Sequence, residues 1–329
     1  MKLSIVIICW NDLKVIGDCL HSIYSEAHST AFEVIISDNG SSDGSVEFIR
    51  KNYPQARVIE NGANLGFGKG NNVGIRASTG EYVLILNPDT IIHHGTLEKW
   101  LAFADRHPEA GAFGCRVLNP DGSFQHPAQP FPTVWRQWIA ALYLRPLGYV
   151  SRVFISDTYA GWKGGTERTI DWQCGCCVLF RAGLLKQLGG FDEQFFYHYE
   201  EVDLCRRVWQ AGYPIIYTPE ASITHLGGQS VNRFPIRFVL ESYRNRYRYF
   251  YKHYGREGAR RCRHVSLAWL RVRQFGYGLV RSARPTDALK SRMNMYRVAI
   301  EWNQRLDPVR FIEAGEEPTI DEAAAAQPS

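Results

Sequence analysis

The chain has 329 residues, of which 45% are hydrophobic and 22% charged, with a net charge of +5. A chain of that length buries a sizeable core without staples, and its composition excludes a wholly disordered, collagen-like or coiled-coil protein. No run approaches the roughly 20 apolar residues of a membrane-spanning helix. The apolar stretch Leu3–Cys9 is ended by Trp10, Asn11 and Asp12, too early for a signal peptide, so the expected location is the cytoplasm.

The first half alternates between two periods. Leu3–Cys9 reads as a strand, and Leu13, Ile16, Leu20 and Ile23 lie at helical spacing after it. Phe32–Ser37 predicts a second strand that ends at Asp38-Asn39-Gly40. Asp43 then caps a helix carrying Val46, Phe48 and Ile49. Arg57–Glu60 predicts a third strand, residues 68–78 a helix, and Tyr82–Leu86 a strong strand stopped by Asn87-Pro88-Asp89. Such alternation implies an α/β fold whose parallel sheet is linked by crossover helices. Ligands bind such sheets at the carboxyl ends of the strands, where Asp38 and Asp89 stand.

Residues 116–170 show no clear period and read as long loops with short helices. Trp172–Arg181 predicts one strand, with Cys174-Gly175-Cys176-Cys177 as small buried residues on it. No second cysteine pair follows at zinc-ligand spacing. Ala182–Leu188 and Glu200–Ala211 predict helices, while Ile215–Thr218 and Ala221–Thr224 predict short strands before His225. From Arg233 the pattern is helical and basic. Glu313–Ser329 is acidic, Ala-rich and expected to be disordered.

Charge is unevenly placed. Residues 233–284 hold 14 Lys or Arg against two Glu, hence +12, which leaves −7 for the rest of a chain whose net charge is +5. Tyr243, Tyr247, Phe250 and Tyr254 repeat at helical spacing beside Arg244 and Arg248. One reading is a basic amphipathic helix on an anionic membrane. The other is a helix packed on the body with a solvated basic face. No RNA-binding motif accompanies the charge, so nucleic acid is not an expected partner.

Three acidic signals carry chemistry. Asp38, at a strand end before a tight polar turn, can bond a base or ribose, or simply form an Asx-turn. Asp89 can hold a divalent cation bridging a diphosphate, and Mg²⁺ suits a site with few protein oxygens. Glu200, Glu201 and Asp203 crowd a helix start beside the apolar run Phe195–Tyr199. A carboxylate there can have a raised pKa and act as a general base, or can merely complement the helix dipole. Gly66, Gly68 and Asn71 nearly fit a dinucleotide fingerprint, but they follow the third strand instead of the first, which argues against NAD. His225 is a lone His able to ligate a metal or to serve a structural hydrogen bond.

Together these motifs resemble glycosyltransferase family 2, the inverting GT-A enzymes, from Leu3 to about Gly255. The landmarks are Ser4-Ile5-Val6-Ile7 with Trp10-Asn11, Ser37-Asp38-Asn39-Gly40, Asn64-Leu65-Gly66-Phe67-Gly68 with Asn71-Asn72, and Asn87-Pro88-Asp89. Gly189-Gly190-Phe191-Asp192, Glu200-Glu201-Val202-Asp203 with Arg207, and His225 complete the set. The Asn-Pro-Asp form and the basic tail look most like the rhamnosyltransferase-like branch. The resemblance implies a Rossmann-like mixed sheet flanked by helices over residues 1–232, split near 115 into nucleotide-sugar and acceptor halves. A basic helical extension over 233–300 and an acidic, partly disordered tail over 301–329 follow.

It further implies Asn11, Asp38, Asn64, Gly66, Asn71, Asn87 and Arg207 as nucleotide-sugar contacts, and Trp172 and Gly175 as acceptor contacts. Asp89 and His225 would hold Mg²⁺ or Mn²⁺. Glu201 falls on the general-base position, with Glu200 and Asp203 beside it and Asp203 the alternative base. The donor would be a nucleotide-diphosphate sugar, dTDP-L-rhamnose in that branch, or else UDP-galactose, UDP-glucose or a furanose. The acceptor would be a glycan or polyprenyl-diphosphate-linked glycan at the inner face of the cell membrane. A non-catalytic nucleotide-sugar-binding protein and a polybasic adaptor are the rival readings.

Overall fold

A computed structural model describes residues 1–25, 30–155, 158–227, 235–283 and 286–318. In chain order the elements are β1 (Leu3–Cys9), α1 (Leu13–Tyr24), β2 (Phe32–Asp38), α2 (Ser45–Asn52), β3 (Arg57–Glu60), α3 (Phe67–Ala77), β4 (Tyr82–Leu86), β5 (Thr90–Ile92), α4 (Thr96–Arg106) and β6 (Ala112–Leu118). Next come β7 (Ala128–Gln129), α5 (Val134–Ala141), β8 (Arg168–Ile170), β9 (Trp172–Gln173), β10 (Cys177–Arg181), α6 (Ala182–Gln187), α7 (Glu200–Gln210) and β11 (Ile215–His225). The chain continues with α8 (Pro235–Ala283), α9 (Asp287–Arg305) and α10 (Pro308–Ala314).

Two compact units result: residues 1–131 with 161–229, and residues 132–160 with 230–329. The first unit is a mixed α/β body. Among the described residues its main sheet has nine strands in the order β3-β2-β1-β4-β10-β6-β11-β5, with β8 also on β11. The strands β1 to β4 run parallel, as the alternation predicts. The antiparallel β10 joins them to β6, and β11 runs parallel to β6 but antiparallel to β5. The expected pair of short strands after Tyr213 is one strand, β11, with a register shift between Thr218 and Ser222. Ile5, Ile7, Leu84, Trp100, Phe103, Phe113 and Leu179 form the buried core on one sheet face.

One expectation is corrected here. Trp172–Arg181 is not one strand. Trp172–Gln173 pairs with Ala128–Gln129 in a separate two-stranded sheet, and only Cys177–Arg181 joins the main one. Cys174-Gly175-Cys176 is the turn between them, where the backbone changes sheets. Within the acidic tail, expected to be partly disordered, the described part is folded. Helix α10 runs to Ala314, Glu313 bonds Arg256 at 2.7 Å, and Glu317 pairs with Arg244. Acidic groups meet basic ones across the second unit, which orders the stretch through Pro318. Residues 319–329 of that expectation lie outside the described residues.

The second unit shows how the aromatic stripe of the basic helix is used. Helix α8 is broken at Gly255, whose φ is 72°. Tyr243, Tyr247 and Phe250 are buried, with Tyr247 stacked on Trp302 of α9. At these three positions the stripe is an internal packing face, while Tyr254, the fourth of it, is exposed.

Helix α3 lies unusually close to the sheet. A Cβ at Gly74 would stand 2.3 Å from Cγ1 of Val6, a fully buried β-branched side chain that cannot yield. Gly74→Ala should lower stability by about 1–3 kcal/mol, overpacking outweighing the helix-propensity gain. Gly183→Ala, in a helix position with open space around it, should instead stabilise by about 0.5 kcal/mol. Urea-unfolding midpoints of the two variants measure both.

Candidate active site

The site is built at the carboxyl edge of the parallel strands. Cys9 of β1 pairs with Asp38 of β2 and Ile7 with Leu86 of β4, so Asp38 and Asn87 flank the end of β1. Asp38 is buried, and its Oδ2 accepts the backbone N–H groups of Gly40 and Ser41, both at 3.0 Å. That is the Asx-turn of the sequence reading. Its Oδ1 is buried with no hydrogen-bond partner among the described residues. A buried acceptor left open in a native fold asks for a ligand donor.

The same condition recurs along this edge. Asn71 on α3 donates Nδ2 to the Phe67 carbonyl at 3.0 Å and leaves Oδ1 buried and unpartnered. Asn87 donates its backbone N–H to the Cys176 carbonyl at 2.9 Å, and its side-chain Oδ1 is likewise open. Other expected contacts have local tasks. Asn11, at φ 57°, accepts the Ser42 N–H and gives its own N–H to Ser41 Oγ, tying the end of β1 to the Asp38 turn. Asn64 Oδ1 accepts the Gly66 N–H at 3.0 Å and the Asn39 amide at 3.3 Å.

Gly66 has a steric role. At φ 81° a Cβ there would lie 2.5 Å from the Phe196 carbonyl oxygen, and Phe67 N–H donates to that oxygen at 2.9 Å. Asn72 clamps the neighbouring stretch by accepting the Phe191 N–H at 2.8 Å and donating to the Phe191 carbonyl at 2.9 Å. The turn before α7 is thereby fixed on α3. Tyr199 precedes α7 at φ 73°, and the three acids open the helix.

Burial sorts those acids. Glu200 and Asp203 are buried, as their shared helix face requires. Asp203 accepts Arg207 Nε at 2.8 Å. Arg207 also gives Nη1 to the Leu188 carbonyl at 2.8 Å and Nη2 to the Gly190 carbonyl at 2.7 Å. Arg207, expected either to orient the acids or to meet the phosphates, orients Asp203 and holds the Leu188–Gly190 turn, and Asp203 is engaged as its counterion.

Glu201 is different. It is half-buried, its Oε2 has no partner among the described residues, and its Cβ side lies under the turn where a Cβ on Gly175 would be 3.5 Å away. Burial pushes its carboxyl up to about 7, against the lowering effect of nearby backbone N–H groups. Tyr197, whose phenol burial pushes up to about 12, also feels the charges of Glu200, Glu201 and Asp89. Trp172 donates Nε1 to the Pro130 carbonyl at 3.1 Å, which fixes the small sheet beside the Gly175 turn.

Asp89 meets His225 because β5 pairs with β11, Thr90 opposite His225. His225 Nε2 lies 3.3 Å from Asp89 Oδ1. Burial would lower the imidazole pKa, but the hydrogen bond and charge of Asp89 outweigh it and the pKa is raised. Sequence reasoning missed Gln125. Its Nε2 donates to Asn119 Oδ1 at 2.8 Å and to the His225 carbonyl at 3.3 Å, which turns Oε1 onto His225 Nδ1 at 2.8 Å. Nδ1 therefore carries the proton, and Nε2 confronts the carboxylate either as imidazolium or across a cation. Gln125 is in an aperiodic stretch, and no local signal marks it.

Among the described residues no cluster of three His, Cys, Asp or Glu side chains is arranged to hold a metal. The Cys174 and Cys176 thiols are 3.0 Å apart, without a third such ligand. The Asp89–His225 pair fits a hard divalent ion that completes its shell with phosphate and water oxygens.

The raised carboxyl of Glu201 has a measurable consequence. Its contribution to stability is whole below the unfolded value of 4.5 and is lost as pH rises to about 7. Glu201→Gln should therefore match wild type in thermal stability near pH 4 and exceed it above pH 7 by up to about 3 kcal/mol. Melting curves across that window measure the crossover.

A family profile described as "Glycosyl transferase family 2" matches residues 4–189. The N-acetylglucosaminyl-diphospho-decaprenol L-rhamnosyltransferase of Mycobacterium tuberculosis is 33% identical over 227 residues, which cover 65% of this chain and 73% of that protein. Rhamnosyltransferase WbbL of Escherichia coli K12 is 26% identical over 204 residues, covering 59% and 72% respectively. In structure, GalNAc-T7 with UDP, GalNAc and Mn²⁺ superposes with TM-score 0.52 at 15% identity over 69% of this chain and 44% of that one. Residues 1–349 of S. aureus TarS with UDP superpose with TM-score 0.50 at 16% identity over 98% and 95%. These two likenesses show the fold.

Proposed function

Because the chain belongs to glycosyl transferase family 2 and has its GT-A fold, we propose that it transfers L-rhamnose from dTDP-rhamnose to a hydroxyl of a polyprenyl-diphosphate-linked glycan, with inversion. The observation that carries the reading is Glu201: a half-buried carboxylate with an open Oε2 and a pKa near 7. The names of the two rhamnosyltransferase relatives support the sugar, and the name of the first supports the lipid-linked acceptor.

The residues divide the work. Asp38 Oδ1 accepts from the base, and the open amide oxygens of Asn71 and Asn87 accept from the donor's hydroxyl groups. Glu201 Oε2 takes the proton of the acceptor hydroxyl as that oxygen attacks the anomeric carbon from the face opposite the diphosphate. A base with a pKa near the working pH is well matched to this task. One displacement inverts the centre and needs no covalent enzyme intermediate. Asp89 and His225 would hold Mg²⁺ or Mn²⁺, which when bound stabilises the charge developing on the diphosphate. Asn87, neutral where the family pattern has an acid, leaves Asp89 the single carboxylate of that strand end. No helix among the described residues is long and apolar enough to cross a membrane. A lipid-linked acceptor then calls for attachment at the inner membrane face.

Nucleoside diphosphate release from a panel of nucleotide sugars, with Mg²⁺ or with EDTA, tests the reading. Wild type should turn over dTDP-rhamnose only with metal, with kcat/KM rising through about pH 7 as Glu201 ionises. Glu201→Gln should lose about 100-fold or more while binding dTDP normally. Turnover of another donor would replace the sugar, and binding without turnover by wild type with acceptor present would sink the catalytic role. Gln125→Leu should weaken Mn²⁺ binding by about 10-fold or more through the freed His225 ring, read by electron paramagnetic resonance of bound against free Mn²⁺.

A further inference from the structure

The second unit displays its apolar side chains in one place. Between Val134 and Phe154, Trp135, Leu142, Tyr143, Leu147, Tyr149, Val150 and Val153 are exposed, with Tyr149 at 77% and Val150 at 84%. The stretch folds into a cap. Trp135 Nε1 donates to the Val153 carbonyl at 2.8 Å, and a Cβ on Gly148 would sit 3.1 Å from the Phe154 carbonyl oxygen. The cap runs along α8: Pro132 accepts from Tyr254, Gln137 from the Cys262 thiol, and Tyr143 bonds Arg273. That contact brings Val272 and Phe275, also exposed, to the same end, Phe275 at 70%. An exposed apolar surface of this kind marks a binding face in a stable protein.

The sequence of these stretches is basic. Residues 134–154 contain three Arg and no acidic residue, and the chain from 258 to 286 contains seven Arg and none. We propose that the 134–154 cap, with Val272 and Phe275, is a wedge that inserts into the headgroup region of an anionic bilayer. Tyr and Trp suit that depth, since their rings are apolar and their polar tips stay wet. Arg271, exposed beside Val272, meets lipid phosphates while its stem lies along apolar surface. The wedge differs from Tyr243, Tyr247 and Phe250 of α8, which are buried. It supplies the attachment that a lipid-linked acceptor requires and in that respect rests on the proposed function, but its test does not.

Sedimentation of the full chain with vesicles tests it, using phosphatidylcholine alone and phosphatidylcholine with phosphatidylglycerol. Wild type should bind the anionic vesicles more tightly. The triple variant Leu147→Ser, Tyr149→Ser, Val150→Ser should bind about 100-fold more weakly. Arg271→Glu should weaken binding about tenfold at low salt and much less at high salt. Circular dichroism of the triple variant checks that it folds. Independently of any unfolding, brominated lipid should quench wild-type fluorescence, and less so in Trp135→Phe. Triple-variant binding equal to wild type, no wild-type binding to either vesicle, or a wild-type oligomer dissolved by the triple variant would each overturn the wedge, the last in favour of a second copy. Donor turnover in solution separates the two readings: vesicle binding without turnover fails the enzyme and keeps the wedge, and turnover without vesicle binding does the reverse.

Discussion

The Phe196 carbonyl oxygen occupies the space a side chain at residue 66 would need, and much of the first unit's site depends on that contact. Gly66 leaves the room, Phe67 N–H fills the hydrogen bond, and Asn72, five residues farther along α3, clamps Phe191. Gly68 continues the fit, since a Cβ there would be 3.1 Å from Phe191 Cβ and 3.5 Å from Glu200 Cβ. The start of α7 is therefore set by backbone-to-backbone packing, which is stiffer than side-chain packing. Glu201 inherits its position from that rigidity, with Phe67 and the Gly175 turn beside it.

The site's electrostatics are a compromise between two opposing effects. Three acids at the start of α7 benefit from the open N–H groups of a helix N-terminus. Burial beside Tyr197 works against the charged form and prevails at Glu201. Asp203 escapes the conflict through Arg207, which at the same time ties down the turn after α6. Asp38, Asn71 and Asn87 each have one oxygen satisfied or one amide engaged and one acceptor left open. Such open acceptors weaken a fold, and their concentration at one sheet edge is what a binding site demands of it.

In the second unit, opposite charges and aromatic packing do the work a larger core would do. Arg244 bridges Glu241 and Glu317, Arg256 holds Glu313, and Arg263 donates to the last carbonyls of α9 at Asn303 and Gln304. Tyr247 meets Asn303 through its hydroxyl and Trp302 through its ring. Much of the basic charge near the start of α8 is thus internal structure. The cations with no acid near them in sequence lie farther along, beside the exposed apolar cap.

The sequence by itself determined the parallel half of the sheet, α7 and the acids at its start. Each rests on local periodicity and on residues within a few positions of one another, as at Asp38 and its turn. It also determined the family, because many weak motifs in one order are jointly specific. Only the tertiary structure decided which charges are free. Asp203 and Arg207 stand at ordinary helix spacing, yet the Leu188 and Gly190 carbonyls engage Arg207. Tyr247 and Phe250 look the same in sequence whether they face lipid or Trp302. The Cys174–Cys176 turn, read as strand, depends on Trp172 pairing with Gln129, 43 residues earlier. Gln125 becomes visible only when it meets His225, 100 residues away. Helix and strand period follow from neighbours along the chain, whereas burial and pairing follow from neighbours in space.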